Sequence, residues 1–178
     1  QNSFVLGFNI VKNENDELKA ALGRDTRKNM IYASVLKAPD FSPYDTFILD
    51  VGSDVGIQVG NIVTVGTTTS VGYISEVYSK TSLARLYSSP GEELLVVIEG
   101  QKSSFKAIGR GNGNFEIKAP RDLTIEKGAK VYLPGLAHHV IGVVEDKEAN
   151  IAHSLQTLYF KLPMNIQAVR WVLVESSE

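Results

Sequence analysis

An internal repeat constrains this chain more than any other feature of its sequence. Residues 55–63 followed by 71–74 are echoed, about 70 residues later, by residues 122–131 followed by 141–144. Both copies read Gly-x-x-Val and then a β-branched run that contains one glycine. A period of this length is one small structural unit, so the sequence predicts two copies of one small barrel.

Each copy carries two glycines at matching places. Gly60 and Gly128 come directly before a strand, where a turn is expected, whereas Gly72 and Gly142 lie inside the following strand. A glycine within a strand is typical of a bulge or a barrel corner. We interpret all four as structural glycines.

Short β-branched or alternating runs between turn residues fill the chain from residue 30 onward. The predicted strands are 31–37, 46–51, 61–65, 71–78, 82–88, 93–99, 105–109, 114–119, 130–133, 140–146, 157–162 and 168–175. No room is left for crossover helices, so the fold class is all-β and antiparallel. We expect two six-stranded β-barrels in tandem, over 30–98 and 99–176; the sequence leaves open which barrel the last strands close.

The first 24 residues have a different texture and predict an amphipathic helix that ends near Gly23. Its apolar stripe follows heptad spacing through Phe4, Phe8, Val11, Asn15, Leu18 and Leu22. An Asn at position a of a heptad fixes register in parallel two-stranded coils, which favours a self-associating coiled coil. The alternative is a single helix packed on its own domain.

The glycine-rich stretch 109–113, Gly-Arg-Gly-Asn-Gly, invites a nucleotide-binding interpretation. Such a loop needs a helix after it, because the N-terminal amides of that helix hold the phosphate. Residues 115–117, Phe-Glu-Ile, alternate like a strand instead. A hairpin turn is the better interpretation, and no cofactor is expected.

A serine hydrolase is the main enzyme alternative, since chymotrypsin-like proteases also consist of two six-stranded barrels. The sequence has no Gly-x-Ser-x-Gly stretch, and His138, His139 and His153 all fall in the second copy. No metal-ligand spacing surrounds them. The paired carboxylates, such as Glu145 and Asp146, are interpreted as solvated charges, so we expect no catalytic residue and no metal site.

Charge and hydropathy limit the partners and the location. The formal net charge is -2, with acidic and basic residues spread along the chain, which predicts neither a nucleic-acid partner nor a small-molecule substrate. No apolar stretch approaches the ~20 residues of a membrane helix, and the chain begins at Gln1. We therefore expect any membrane anchor upstream of this sequence.

Two tyrosines are predicted to point away from the barrel core. Tyr132 stands between Val131 and Leu133, and Tyr159 alternates with Leu158 and Phe160. Exposed tyrosines on a strand suit protein contacts, because an apolar ring carries a polar tip. We predict them as partner-binding residues, against the alternative of ordinary surface aromatics.

The order of these features resembles the family of the rod shape-determining protein MreC. The resemblance is carried by residues 32–36 (Tyr-Ala-Ser-Val-Leu), 47–52 (Phe-Ile-Leu-Asp-Val-Gly), the first repeat, and 70–77 (Ser-Val-Gly-Tyr-Ile-Ser-Glu-Val). The second repeat, with Gly-Ala-Lys-Val at 128–131, is similar as well. One departure is Leu-Pro-Gly at 133–135, where the family has a Ser-Gly turn.

The resemblance implies a non-catalytic scaffold of the bacterial cell-elongation machinery, on the periplasmic face of the inner membrane. Its implied partners are the elongation class B penicillin-binding protein, the MreD and MreB machinery, and a second copy of itself. A barrel edge or an exposed apolar groove would capture a segment of the transpeptidase. The alternative is a generic extracytoplasmic binding or adhesion module for a glycan or a peptide.

Overall fold

The computed structural model describes residues 30–39, 45–149 and 152–176, with the side chains of 136–138 left out. The predicted coiled-coil helix, with Phe4, Phe8, Val11, Asn15, Leu18 and Leu22, lies outside the described residues. The described part is built of strands and two single 3₁₀ turns, as the short alternating runs predict. The all-β prediction is confirmed.

Twelve strands follow one another along the chain. They are β1 (Met30–Lys37), β2 (Thr46–Leu49), β3 (Ile62–Val65), β4 (Thr69–Val77), β5 (Ser82–Leu86), β6 (Glu93–Ile98), β7 (Ser104–Gly111), β8 (Asn114–Pro120), β9 (Lys130–Leu133), β10 (Leu136–Ala149), β11 (Leu155–Lys161) and β12 (Trp171–Glu175). The 3₁₀ turns span Ser53–Val55 and Ile166–Ala168. All pairings are antiparallel.

These strands close into two six-stranded barrels. The first has the order β1-β12-β3-β4-β5-β2, and the second has the order β10-β11-β8-β7-β6-β9. Strand β6 therefore belongs to the second barrel, and the predicted division at residues 98 and 99 is wrong by that strand. Strand β12, whose barrel the sequence left open, returns from the end of the chain to close the first barrel between β1 and β3.

The repeat is visible in the backbone hydrogen bonds of the two barrels. The amide of Gly60 donates to the carbonyl of Ile74, and the amide of Gly128 donates to the carbonyl of Val144, both at 2.8 Å. Gly60 and Gly128 have nearly equal positive φ angles of 92° and 90°. Strands β3 and β4 thus correspond to β9 and β10.

Gly72 and Gly142 lie where a neighbouring backbone comes too close for any side chain. A Cβ on Gly72 would collide with the carbonyl oxygen of Arg85 on β5. A Cβ on Gly142 would lie 2.6 Å from the carbonyl oxygen of Lys161 on β11. Both strands shift register next to these glycines, so the glycines stand at matching irregularities of the two barrels.

Each barrel is filled by the inward residues of its strands. Phe47, Val63, Ile74, Leu86 and Val172 are fully buried in the first barrel. In the second barrel, the rings of Phe115 and Phe160 stack with centroids 4.5 Å apart. Because alternate residues on these strands face outward, the tyrosines predicted as partner-binding residues stand on the outer wall.

The strand ends differ from the prediction where turns are tighter than the sequence suggests. Strand β10 starts at Leu136, four residues before its predicted start, because the β9–β10 hairpin turns within Pro134 and Gly135. The chain before β12 forms a 3₁₀ turn instead of a strand start, and the side chain of Asn165 caps this turn by accepting from the amide of Gln167. No helix among the described residues is long and apolar enough to cross a membrane.

Candidate functional site

Tyr159 occupies the centre of a polar area on the outer wall of the second barrel. It lies on β11, opposite Glu116 of β8 and Asp146 of β10. Its hydroxyl donates to Oε2 of Glu148 over 3.2 Å. Desolvation, and then the hydrogen bond and negative charge of Glu148, raise the pKa of the Tyr159 hydroxyl. The ring is half-buried, so one face is left for a partner.

A cleft of about 460 Å³ opens beside Tyr159. Its wall contains an ion pair between Arg110 of β7 and Glu116 of β8, and Glu116 is only 7% exposed. The carboxylate of Glu116 raises the pKa of the Arg110 guanidinium, first through the hydrogen bond and then through its charge. Lys161 Nζ pairs with Glu145 Oε1 at 3.0 Å on the same wall. The cleft combines one aromatic ring with fixed charges of both signs, which is the composition of a protein-binding rim.

Tyr132 lies on the same barrel but outside this cleft. It sits on β9, opposite Val140 of β10 and Val97 of β6, with a half-buried ring. On β10, Val140 and Asp146 mark the positions of the two tyrosines, so the tyrosines are about 20 Å apart at ~3.3 Å per residue. The structure therefore gives two separate places on one barrel wall and does not bring the two predicted residues together.

A second aromatic group, which the sequence analysis did not single out, lies on the first barrel. The rings of Tyr32 (β1) and Trp171 (β12) stack with centroids 5.6 Å apart and an interplanar angle of 23°. Both are exposed, Tyr32 at 60% and Trp171 at 43%. Alternation marks each residue as outward-facing, but only the pairing of the first and last strands puts the two rings side by side.

The two barrels meet at a hydroxyl, an imidazole and a carboxylate. Ser70 Oγ of β4 lies 2.5 Å from Nδ1 of His139 on β10. Nε2 of His139 lies 3.7 Å from Oε1 of Glu175 on β12. All three are largely enclosed, with His139 and Glu175 at 13% and 11% side-chain exposure. The sequence analysis treated the histidines as isolated and missed this contact.

This trio contains the residue types of a serine-hydrolase triad, but its geometry does not suit acyl transfer. Ser70 is fully buried between the barrels, so a substrate carbonyl has no path to its hydroxyl. The serine contacts Nδ1 and the carboxylate lies near Nε2, the reverse of the usual triad arrangement. The trio is suited to holding the two barrels together.

A buried polar network around Asp45 forms the other side of the junction. Ser88 Oγ donates to Oδ2 of Asp45 over 2.7 Å and accepts from the amide of Gly113 over 3.1 Å. Ser89 Oγ donates to the carbonyl of Asp45 over 3.0 Å. Gly109 of β7 leaves room for this linker, because a Cβ there would collide with the carbonyl of Ser89. The glycine-rich stretch is thus a hairpin that receives the linker between the barrels, not a nucleotide loop.

Tyr87 is the phenol with the largest change in acidity near this junction. Burial, followed by the proximity of Tyr73 and Glu175, raises the pKa of Tyr87 to about 12. Its ring lies 6.0 Å from that of Tyr73. Within the described part of the chain, no three His, Asp or Glu side chains come close enough to hold a metal ion.

Comparison with protein families gives one clear match. The family described as "Rod shape-determining protein MreC, barrel core" matches residues 35–176 of this chain. That range includes both barrels and almost the whole of β12. A comparison with curated proteins finds no match.

Solved structures share the fold at low sequence identity. MreC from Pseudomonas aeruginosa has a TM-score of 0.73 at 16% identity, with 82% of this chain and 98% of that chain covered. The major periplasmic domain of a cell shape-determining filament MreC has a TM-score of 0.62 at 19% identity, with 84% and 96% covered. A complex of penicillin-binding protein PBP2 and MreC from Helicobacter pylori gives 0.55 at 11% identity, with 84% and 100% covered.

Proposed function

This chain belongs to the MreC family of rod shape-determining proteins, and from that membership we propose that it is a non-catalytic scaffold of the bacterial cell-elongation machinery. The family match over residues 35–176 carries the proposal, because it spans both barrels and the strand that returns between them. The scaffold would maintain rod shape by binding and regulating the penicillin-binding protein that synthesises peptidoglycan.

The outer walls of the barrels support a binding role. The group that most nearly has catalytic residue types, Ser70 with His139 and Glu175, is enclosed between the barrels. The Tyr159 cleft, by contrast, faces outward and presents an aromatic ring among anchored charges. A relative from Helicobacter pylori has been solved in complex with a penicillin-binding protein. We therefore assign the elongation class B penicillin-binding protein as the partner.

The closed barrels determine how such a partner would dock. Every described strand is hydrogen-bonded to a neighbour on both sides, so no strand edge is left to pair with a partner segment. Of the two modes expected from the sequence, capture by a barrel edge is excluded for these strands, and contact with a face or cleft remains. Tyr159 and Tyr132 are proposed as partner-binding residues on that face.

We place the chain on the periplasmic side of the inner membrane, anchored by a segment upstream, and coupled to the MreD and MreB machinery. A related structure is described as a periplasmic domain of a cell shape-determining filament. Self-association is proposed through the predicted helix and its stripe Phe4, Phe8, Val11, Asn15, Leu18 and Leu22. In a parallel coil this stripe would be covered by a second copy.

A cell-based experiment tests the scaffold role. This chain, fused behind a periplasm-directed membrane anchor, is expressed in rod-shaped cells of the same organism from which the native protein has been depleted. The fusion is expected to restore rods, and a Tyr159→Ala fusion produced at equal level is expected to leave cells rounded. Rounded cells with a stable, correctly exported wild-type fusion would contradict the proposal.

A further inference from the structure

Four outward residues on β1 and β12 form an exposed apolar area, here called the aromatic patch: Met30, Tyr32, Trp171 and Leu173. In the register of the two strands Tyr32 faces Leu173, and Trp171 is diagonal to Tyr32. Met30, Tyr32 and Trp171 are 39%, 60% and 43% exposed. The patch thus carries the chain's single tryptophan, a tyrosine stacked on it and two aliphatic neighbours.

The fold itself does not account for these side chains. Ala33 and Val172, which alternate with the patch residues, are fully buried and supply the barrel interior. The patch residues lie on the other side of the same strands, in water. Contiguous exposed apolar groups that include Trp and Tyr are typical of binding sites, because these residues contribute most of the energy of protein contacts.

We propose that the aromatic patch is a contact between two copies of this chain, patch against patch. The four patch residues are uncharged, so two identical patches meet without like-charge repulsion. A two-fold contact requires such a self-complementary surface, since each copy offers the same residues. Offset stacking of the Tyr32–Trp171 pair on its equivalent satisfies this requirement.

The position of the patch in the chain favours a second copy over another partner. Met30 follows directly after 29 residues, of which 4–22 carry the heptad stripe and 24–29 form a short charged link. In a parallel coiled coil the two chains would leave the coil side by side, which brings the first residues of β1 from both copies together. This inference rests on the proposed self-association and assigns it a second contact outside the helix.

Trp171 reports directly on this contact because the chain contains one tryptophan. We would measure tryptophan emission and acrylamide quenching of the whole 178-residue chain over a concentration series, with sedimentation equilibrium on the same samples. The expected result is that emission shifts to the blue and quenching falls as dimer forms. Three results would overturn the proposal: no dimer at high micromolar concentration, a dimer in which Trp171 stays equally quenchable, or protection that does not depend on concentration.

Two variants separate the patch from the rest of the surface. Tyr32→Ala is expected to raise the dimer dissociation constant about tenfold or more, since central aromatic residues dominate such contacts. Tyr78→Ala is the control, because Tyr78 is a 58% exposed tyrosine elsewhere on the first barrel. Equal affinity of Tyr32→Ala and wild type, with circular dichroism showing both folded, would contradict the proposal.

Binding of the penicillin-binding protein ectodomain, measured on the same samples, keeps this inference distinct from the proposed function. A folded Tyr32→Ala chain that dimerises weakly but binds the ectodomain with wild-type affinity is the expected outcome. If Tyr32→Ala loses ectodomain binding and keeps the dimer, the patch belongs to the partner and the inference is wrong. Loss of ectodomain binding by the wild type would overturn the proposed function and leave the dimer measurement intact.

Discussion

Ser70 of the first barrel and His139 of the second lie 2.5 Å apart, hydroxyl oxygen to Nδ1, in an almost closed space between the barrels. Either the serine donates to a neutral Nδ1 or a protonated Nδ1 donates to the serine, so the contact survives a change of tautomer. Glu175 lies on the other side of the imidazole at 3.7 Å. One side chain of the second barrel thus contacts two strands of the first.

Replacing this imidazole should weaken the whole fold. His139→Ala leaves the buried hydroxyl of Ser70 without its partner, which is expected to lower the free energy of unfolding by about 1–3 kcal/mol. Urea denaturation at pH 7 measures the difference. His153→Ala is the matched control, since His153 is exposed and should change stability by less than ~0.5 kcal/mol. Equal stability of the two variants would contradict a joint at His139.

Tyr87 should make the protein lose stability in alkali. Its pKa is raised to about 12 in the fold, so the native state holds the phenolic proton more tightly than the unfolded chain does. This contribution is fully present below pH 10 and declines as the pH rises through 12. At pH 11 the loss is expected to be about 1.4 kcal/mol.

Denaturation of wild type and Tyr87→Phe at pH 8 and pH 11 isolates this effect from the titration of other groups. The stability of Tyr87→Phe should fall less between the two pH values than that of the wild type. Equal decreases for the two proteins would show that Tyr87 does not contribute.

Close backbone contact at Gly72 should make this position intolerant of any side chain. Gly72→Ala places a Cβ against the carbonyl of Arg85, and the expected loss is at least about 3 kcal/mol, because β4 or β5 must shift. Gly100→Ala is the comparison: Gly100 has a φ of 83° but open space around it, so about 1–2 kcal/mol is expected from backbone strain alone. The reverse ranking in thermal melts would contradict the packing described for the barrel.

The ring of Tyr159, more than its hydroxyl, should matter for the partner. Tyr159→Ala is expected to weaken binding to the penicillin-binding protein about tenfold or more, as for an aromatic anchor at the centre of an interface. Tyr159→Phe, which removes only the hydrogen bond to Glu148, should bind within about threefold of wild type, a cost below the ~1 kcal/mol of a typical hydrogen bond. If both variants bind like wild type, Tyr159 is not at the interface.

Local patterns predicted the elements of this fold well, and they failed where distant segments meet. Gly60 and Gly128 reveal the repeat because they recur within matching short runs. Strand β6 was assigned to the wrong barrel because its ladder partners, β7 and β9, cannot be inferred from its own alternation. The same limit applied to β12, which pairs with β1 across almost the whole chain.

The candidate site was predictable only in part for the same reason. Alternation marked Tyr132 and Tyr159 as outward residues, and the structure places both on the outer wall. It could not show that β10 separates them by about 20 Å. Neither the Tyr32–Trp171 stack nor the Ser70–His139 contact has a local signal, because each joins residues from strands that are far apart in sequence.

The most direct test of the scaffold account is binding of this chain to the soluble ectodomain of the elongation class B penicillin-binding protein from the same organism. Biolayer interferometry over a concentration series would include wild type, Tyr159→Ala and Tyr132→Ala, each checked for folding by circular dichroism. The account predicts saturable binding by the wild type and weaker binding by a folded tyrosine variant. No binding by the folded wild type at high micromolar concentration would contradict it.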